Sequence, residues 1–251
     1  NFTMKIGVIG AGRLGICFAL LAESAGHDVY VSDVRPNYVA QINAREIFSN
    51  EPDVEELLME SKHLRATTNN QDVIKSSDVI FTFVPTPSLD DGSYDCSLVD
   101  SVVCDLLRAP NLEGKKFIVG CTTNPGFVDK VDEKLEGRGI SVFYSPEFVA
   151  QGTIIRDMKN ADMILCGGRD DEGFEKIKAI YLSFMDSQVN FYPMSNTAAE
   201  ITKIGINCFL TYKISYANMM GQILYNSGCG DEIKNILASI GADSRIGSKY
   251  L

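Results

Sequence analysis

Short apolar runs recur through the first part of the chain, and charged, helix-prone stretches separate them. Continuous apolar strands that alternate with helices are typical of a parallel sheet with both faces covered. We therefore predict an α/β fold over residues 1–196, built on a doubly wound parallel sheet. The apolar runs occupy residues 4–9, 28–32, 79–84, 117–120, 141–144 and 163–166.

The pattern changes near residue 195. Thr197 and Glu200 have the S/T-x-x-E spacing of a capping box, which predicts that a helix begins at Thr197. No proline interrupts the chain from there to Tyr225, and apolar residues occur on nearly every helix face, as in a buried helix. We predict a long central helix, ended by the glycines at 228 and 230, and the start of a helical domain over residues 197–251. The helix would pack between domains or between copies of the chain.

Glycines follow the first predicted strand at a spacing that suits a bound phosphate. Gly10 permits a tight turn, Gly12 lets the backbone approach a pyrophosphate, and Gly15 lets the next helix pack closely. Asp33 ends the second strand, where its carboxylate would accept ribose hydroxyls and repel the extra phosphate of NADP, while Arg35 opposes that preference. The strand-turn-helix order favours a Rossmann-type NAD site over a bare glycine turn. Its predicted residues are Gly10, Gly12, Arg13, Leu14, Gly15, Asp33 and Arg35.

Distinctive segments follow three later strands, at residues 84–87, 121–127 and 145–148. Ligands of doubly wound sheets collect at the carboxyl ends of the strands. We therefore expect these segments to line the same site as the glycine turn.

Composition narrows the range of partners. Lys and Arg number 23 against 33 Asp and Glu, so the net charge of −10 opposes binding to nucleic acid or to an anionic membrane. The seven cysteines are scattered without a CxxC pair, which suits a reducing cytoplasm. With two histidines, a zinc site or a histidine-based hydrolase is disfavoured. We expect a cytoplasmic protein with no targeting segment, membrane span, nucleic-acid partner or metal.

Taken in order, these segments make the chain resemble the UDP-glucose/GDP-mannose dehydrogenase family along its whole length. The segment 207–215 resembles the UDP-glucose branch more than the GDP-mannose or UDP-N-acetylmannosamine branches. The resemblance implies NAD as cofactor, a UDP-sugar as substrate and a homodimer formed through the central helix. The matching elements are the glycine turn, residues 84–87 with 91–93, residues 145–148, residues 200–203 with Asn207, and residues 243–247.

The family oxidises the C6 hydroxyl of a nucleotide sugar to a carboxylate, using two NAD and a cysteine that holds a thiohemiacetal and then a thioester. Negative charge on the reacting oxygen needs a cation and a donor nearby. Lys203 and Asn207 are four residues apart, on one helix face, and the resemblance gives them that role. It makes Glu147 the group that activates water for thioester hydrolysis.

The resemblance also implies a hydroxyl close to the transferred atoms. An ungapped match makes Thr122 the counterpart and a one-residue gap would choose Thr123; we choose Thr122. Pro85 and Thr86 would line the nicotinamide side of the cofactor. The implied substrate-binding residues are Glu147, Phe148, Val149, Gln151, Lys203 and Asn207.

Three features depart from the family pattern. Gln151 replaces a glutamate, and Met163 replaces an arginine. The chain also ends at Leu251, before the family's cysteine segment and second nucleotide-binding half. None of the seven cysteines lies in that motif, so we expect the chain to bind NAD without completing the oxidation.

Two other interpretations stay open at this point. A β-hydroxyacid dehydrogenase would need one hydride transfer and no cysteine, but residues 145–148 and 243–247 disfavour it. An inactive NAD-binding module that senses cofactor or assembles with partners is the second, and the absent cysteine motif favours it.

Overall fold

A computed structural model describes residues 2–251. The chain divides into two compact units, one reaching to Ile201 and the other running from Thr202 to Leu251.

The first unit contains one eight-stranded sheet with the order β3-β2-β1-β4-β5-β6-β7-β8. Its central strands are apolar and buried on both sides, which is why their residues form continuous runs rather than an alternating pattern. The strands are β1 Lys5–Ile9, β2 Asp28–Ser32, β3 Arg65–Thr67, β4 Val79–Thr82, β5 Lys116–Val119, β6 Ser141–Tyr144, β7 Met163–Gly167 and β8 Asn190–Met194.

Helices connect these strands and cover both faces of the sheet. One core cluster includes buried residues of α1, α3, α7 and α8, and the other includes residues of α4, α5 and α6. The predicted doubly wound α/β architecture is therefore confirmed. The helices are α1 Arg13–Ser24, α2 Pro36–Ala44, α3 Val54–Glu60, α4 Asn70–Ser76, α5 Ser97–Arg108, α6 Phe127–Lys134, α7 Ile154–Lys159, α8 Asp171–Phe184, α9 Asn196–Asn226 and α10 Ile233–Ala242, with a 3₁₀ turn at Gly230–Glu232.

The direction of the last two strands differs from the prediction. The first six strands are parallel, and their order reverses between β1 and β4, which is the switch point where such sheets bind ligands. β7 is antiparallel to β6, meeting it only at Tyr144 and Gly167, and β8 runs parallel to β7. A buried strand is equally apolar in either direction, so its pattern could not reveal this reversal.

The long helix α9 matches the predicted extent, but its start does not use the predicted capping box. The Ser195 hydroxyl accepts from the Ala198 amide at 3.3 Å, and the helix begins at Asn196. Thr197 Oγ1 instead donates to Asp129 Oδ2 at 2.8 Å, and Glu200 bonds other elements of the first unit. The helix ends at Asn226, two residues before Gly228, whose φ is 76°.

The part of α9 in the second unit leaves much of its apolar surface exposed. Several large apolar side chains stay exposed, including Tyr225 at 79%. Within residues 2–251, none of the helices combines the length and apolarity needed to cross a membrane. The other exposed apolar residues of α9 in this unit are Phe209, Tyr212, Ile214, Met219 and Ile223.

Candidate active site

The glycine turn joins β1 to α1 at the switch point. Gly10 has φ of +98°, a conformation that disfavours other residues. A Cβ on Gly15 would lie 1.8 Å from the Gly10 carbonyl oxygen, whereas a Cβ on Gly12 would meet nothing within 4 Å. The turn is therefore closed on its protein side and open at Gly12, where the unbonded amides of the first turn of α1 begin. This shape fits a pyrophosphate.

Asp33 and Arg35, at the end of β2, form one charged group. The Arg35 guanidinium binds both carboxylate oxygens of Asp33, at 2.8 and 3.0 Å, and lies 4.1 Å above the Tyr38 ring. Tyr38 in turn donates to the Ala11 carbonyl at 2.7 Å, which ties this pair to the glycine turn. Burial alone would raise the pKa of Asp33, but the hydrogen bonds and charge of Arg35 outweigh it and lower the pKa.

Pro85 and Thr86 follow β4, the strand next to β1. Thr86 is half-buried and Pro85 is exposed. The chain then forms a small hairpin closed by a bridge between Ser88 and Tyr94. The Asn124 side chain clamps this hairpin, because it accepts from the Tyr94 amide and donates to the Tyr94 carbonyl, both at 2.8 Å.

The two threonines after β5 occupy different environments. Thr123 is fully buried and donates to Glu200 Oε1 at 2.8 Å, whereas Thr122 is half-buried. Cys121 beside them is buried, and burial raises the pKa of its thiol to about 12, so the thiolate needed for nucleophilic attack is disfavoured there.

Glu147 lies just after β6 and accepts a 2.7 Å hydrogen bond from the Tyr181 hydroxyl. Tyr181 belongs to a buried aromatic cluster with Phe18, Phe81 and Phe184, so its hydroxyl is held by packing as well. Burial, followed by the Glu147 charge, raises the pKa of Tyr181 well above its usual value. The phenol is therefore a fixed donor to the carboxylate.

The loop after Glu147 is bonded to other parts of the first unit at two further points. Glu51, which is buried, accepts from the Gly152 amide at 2.8 and 3.0 Å. Arg13, the first residue of α1, donates to Gln151 Oε1 at 2.9 Å. Phe148 and Val149 are half-buried and pack against the two core clusters, one on each.

Lys203 and Asn207 belong to the second unit. Both lie on α9, four residues apart; Lys203 is buried and Asn207 is half-buried. The backbone carbonyl of Asn207, not its side chain, accepts a 3.0 Å hydrogen bond from the Thr211 hydroxyl within the helix.

Within the first unit, the structure brings the glycine turn, Thr86, Thr122 and Glu147 to one edge, because β1, β4, β5 and β6 are parallel and each residue follows its strand. Sequence reasoning missed Tyr181, Glu51 and Asn124. No local signal marks the first two, since each bonds a segment 34 to 103 residues away. Asn124 lay inside a segment already singled out.

Three features define a dinucleotide-binding α/β domain: the switch in strand order between β1 and β4, the glycine turn, and an acid at the end of β2. Residues 4–185 match the NAD-binding domain of the UDP-glucose/GDP-mannose dehydrogenase family, and residues 197–251 match its central domain. The chain belongs to this family, and its NAD-binding domain is that of an NAD-dependent dehydrogenase.

Known proteins of this family resemble the chain in sequence and in structure. The UDP-glucose 6-dehydrogenase of Haloferax volcanii is 31% identical over 99% of this chain and 60% of its own length. A UDP-glucose dehydrogenase structure from Pyrobaculum islandicum has a TM-score of 0.88 at 27% identity, over 99% of this chain and 59% of that one. A GDP-mannose dehydrogenase ternary complex from Pseudomonas aeruginosa has a TM-score of 0.85 at 26% identity, over 94% and 57%. The chain thus spans less than two thirds of these proteins.

Proposed function

We propose that this chain supplies the NAD-binding and central domains of an enzyme that oxidises UDP-glucose to UDP-glucuronate in two hydride transfers. The observation that carries the proposal is the Tyr181–Glu147 hydrogen bond at 2.7 Å, which fixes a carboxylate on the same sheet edge as the glycine turn. A dinucleotide domain needs no such carboxylate merely to hold a cofactor. A dehydrogenase that also hydrolyses an acyl intermediate needs a general base.

NAD, when bound, accepts the hydride, and the chain's own residues manage position and protons. The open side of Gly12 and the start of α1 would receive the pyrophosphate, and Asp33 the adenosine ribose. Thr122 would hold its hydroxyl at the nicotinamide end. Arg13, Leu14, Arg35, Pro85 and Thr86 complete the proposed cofactor site.

The proposed substrate chemistry rests on four polar side chains. Glu147 would take a proton from the water that attacks the acyl intermediate, while the Tyr181 hydroxyl holds its Oε1 atom in place. Lys203 and Asn207 would stabilise negative charge on the substrate oxygen, as a cation and a neutral donor. Phe148, Val149 and Gln151 would border the sugar. A UDP-glucose substrate is supported by the name of the Haloferax volcanii relative.

The test measures cofactor binding and turnover separately. The 251-residue chain is titrated with NAD by calorimetry, since it has no tryptophan for fluorescence. Turnover is measured as NADH released from UDP-glucose, GDP-mannose and UDP-N-acetylmannosamine, with the chain fused to the part of the Haloferax volcanii relative that the match leaves uncovered. We expect two NADH per UDP-glucose. NAD binding with no NADH from any sugar would contradict the dehydrogenase and favour an NAD-binding module.

Two substitutions in the fused protein separate the proposed roles. Lys203→Ala should lower kcat by about 10²-fold or more, because it removes one oxyanion donor. Glu147→Gln keeps the shape of the carboxylate but not its basicity, so it should slow the second half of the reaction and let acyl intermediate accumulate. Equal NADH yield and rate in Glu147→Gln would show that Glu147 is not the base.

We also propose that the exposed apolar face of α9 pairs with a second copy of this chain, in a reducing cytoplasm suited to its seven unpaired cysteines. Phe209 and Tyr225 are 63% and 79% exposed, more than isolated surface residues explain. Phe209→Glu should shift sedimentation to a monomer. The matched control is Leu98→Glu, which adds the same charge at an exposed leucine of α5. A wild-type chain that sediments as a monomer at all concentrations would contradict the proposal.

A further inference from the structure

Glu200 is a fully buried carboxylate near the start of α9, within the first unit. It accepts three hydrogen bonds from the loop after β5 and the start of α6: from Thr123 Oγ1 at 2.8 Å, the Gly126 amide at 2.7 Å and the Val128 amide at 2.9 Å. These donors lie in the second half of the connection after β5 and in the first turn of α6. One side chain therefore fixes the path of that loop against the helix.

The arrangement is costly for a side chain that serves only to start a helix. Burial raises the pKa of Glu200, and its three neutral donors offset only part of that effect. Ser195 already caps α9, so the helix start does not need Glu200. The carboxylate instead supplies acceptors to the Gly126 and Val128 amides at the start of α6, which have no acceptor within that helix.

The loop held by Glu200 carries Thr122. Because Thr123 turns its hydroxyl to Glu200, the adjacent Thr122 is the half-buried hydroxyl of the pair. Glu200 also lies three residues before Lys203 on the same helix. Any shift of the loop against the start of α9 would therefore move Thr122.

We propose that Glu200 is a positioning residue whose carboxylate holds residues 122–128, the loop after β5 with the start of α6, and so keeps Thr122 in the geometry that binds the nicotinamide end of NAD. This rests on the proposed function in one respect, the contact between Thr122 and the cofactor. Glu200 itself touches neither cofactor nor substrate.

The experiment compares variants that alter single hydrogen bonds. Thr123→Val removes the hydroxyl without changing side-chain volume, and Thr123→Ser keeps it. Glu200→Gln leaves one acceptor oxygen but places an NH₂ group against a loop donor. The matched control is Thr197→Val, which removes a 2.8 Å bond from the same helical turn to α6 without touching the loop residues that Glu200 binds.

Calorimetry gives NAD affinity for each 251-residue variant at a temperature where circular dichroism shows it folded, and hydrogen exchange reports the Gly126 and Val128 amides. We expect Thr123→Val and Glu200→Gln to weaken NAD binding about tenfold, which corresponds to about 1.4 kcal/mol. Thr123→Ser and Thr197→Val should stay within about twofold of wild type. The Gly126 and Val128 amides should exchange faster than in wild type only in Thr123→Val and Glu200→Gln.

Wild-type NAD affinity in Thr123→Val and Glu200→Gln, with stability alone reduced, would overturn the proposal. If Glu200→Gln does not fold, the contrast between Thr123→Val and Thr123→Ser decides. If the wild-type chain itself does not bind NAD, the proposed function fails, and the exchange data still judge the positioning. Unchanged exchange at Gly126 and Val128 would then refute it, and faster exchange than in Thr197→Val would support it.

Discussion

An added methyl group should affect stability at one glycine of the turn and NAD binding at another. In Gly15→Ala the new Cβ would lie 1.8 Å from the Gly10 carbonyl oxygen, a backbone atom that cannot rotate away. In Gly12→Ala the new Cβ would meet nothing within 4 Å, and the backbone φ of −64° suits alanine. The first change disturbs the fold, and the second changes only the surface offered to a ligand.

The expected magnitudes follow from these contacts. Gly15→Ala must push α1 away from β1, which should cost about 3 kcal/mol, the upper range for overpacking. For a domain of this size that lowers Tm by roughly 6–12 °C. Gly12→Ala should leave stability within about 0.5 kcal/mol. Its methyl group fills the open side of the turn, so NAD affinity should fall by at least about tenfold.

Differential scanning calorimetry and NAD titration on the same samples test both expectations. The control is Gly205→Ala, an open helix position in the second unit that should raise stability by about 1 kcal/mol and leave NAD binding unchanged. Unaltered NAD affinity in Gly12→Ala would refute the placement of the pyrophosphate at this turn. A normal Tm in Gly15→Ala would refute the packing argument.

Three further predictions concern titratable and charged groups, and four substitutions test them. Asp33→Asn should narrow the preference for NAD over NADP by about 1–3 kcal/mol, while Arg35→Ala should widen it. Calorimetry with both cofactors tests this, and tighter NADP binding in Arg35→Ala would contradict it. Burial lowers the pKa of His27, so the unfolded chain takes up its proton first and stability should fall as pH drops below 6.5; urea unfolding across that range should show a smaller fall in His27→Gln. Asp170→Asn leaves the buried Lys116 ammonium without its partner and should cost about 2–4 kcal/mol in urea unfolding; full stability in that variant would contradict it.

The sequence predicted features that a few adjacent residues determine. Continuous apolar runs identified β1, β4, β5 and β6, because a strand buried on both faces has few polar positions. The glycine turn was predictable because its three glycines answer three separate steric demands of one turn. Strands β3 and β8 were missed, since β3 has three residues and β8 is largely exposed and contains Pro193.

Features that depend on distant partners could not be read from the sequence. Glu147 was predicted from its own segment, but the tyrosine that orients it lies 34 residues later, inside an amphipathic helix where it reads as core. The direction of β7 could not be predicted for the same reason. The direction of a strand depends on the path of the connection before it, and the apolar pattern is the same for either direction.

Glu200 shows how a correct pattern can be given the wrong partner. The S/T-x-x-E spacing predicts that its carboxylate returns to the helix's own amide, which satisfies one donor. The loop after β5 and the start of α6 offer three donors to the same carboxylate, and two of them are N-terminal amides of α6 that have no acceptor within that helix. Three bonds outweigh one, so the long-range arrangement wins. The local cap was dispensable because Ser195, one residue before the helix, provides it. The partner of the Glu200 carboxylate therefore depends on the folded chain, which brings all the competing donors together.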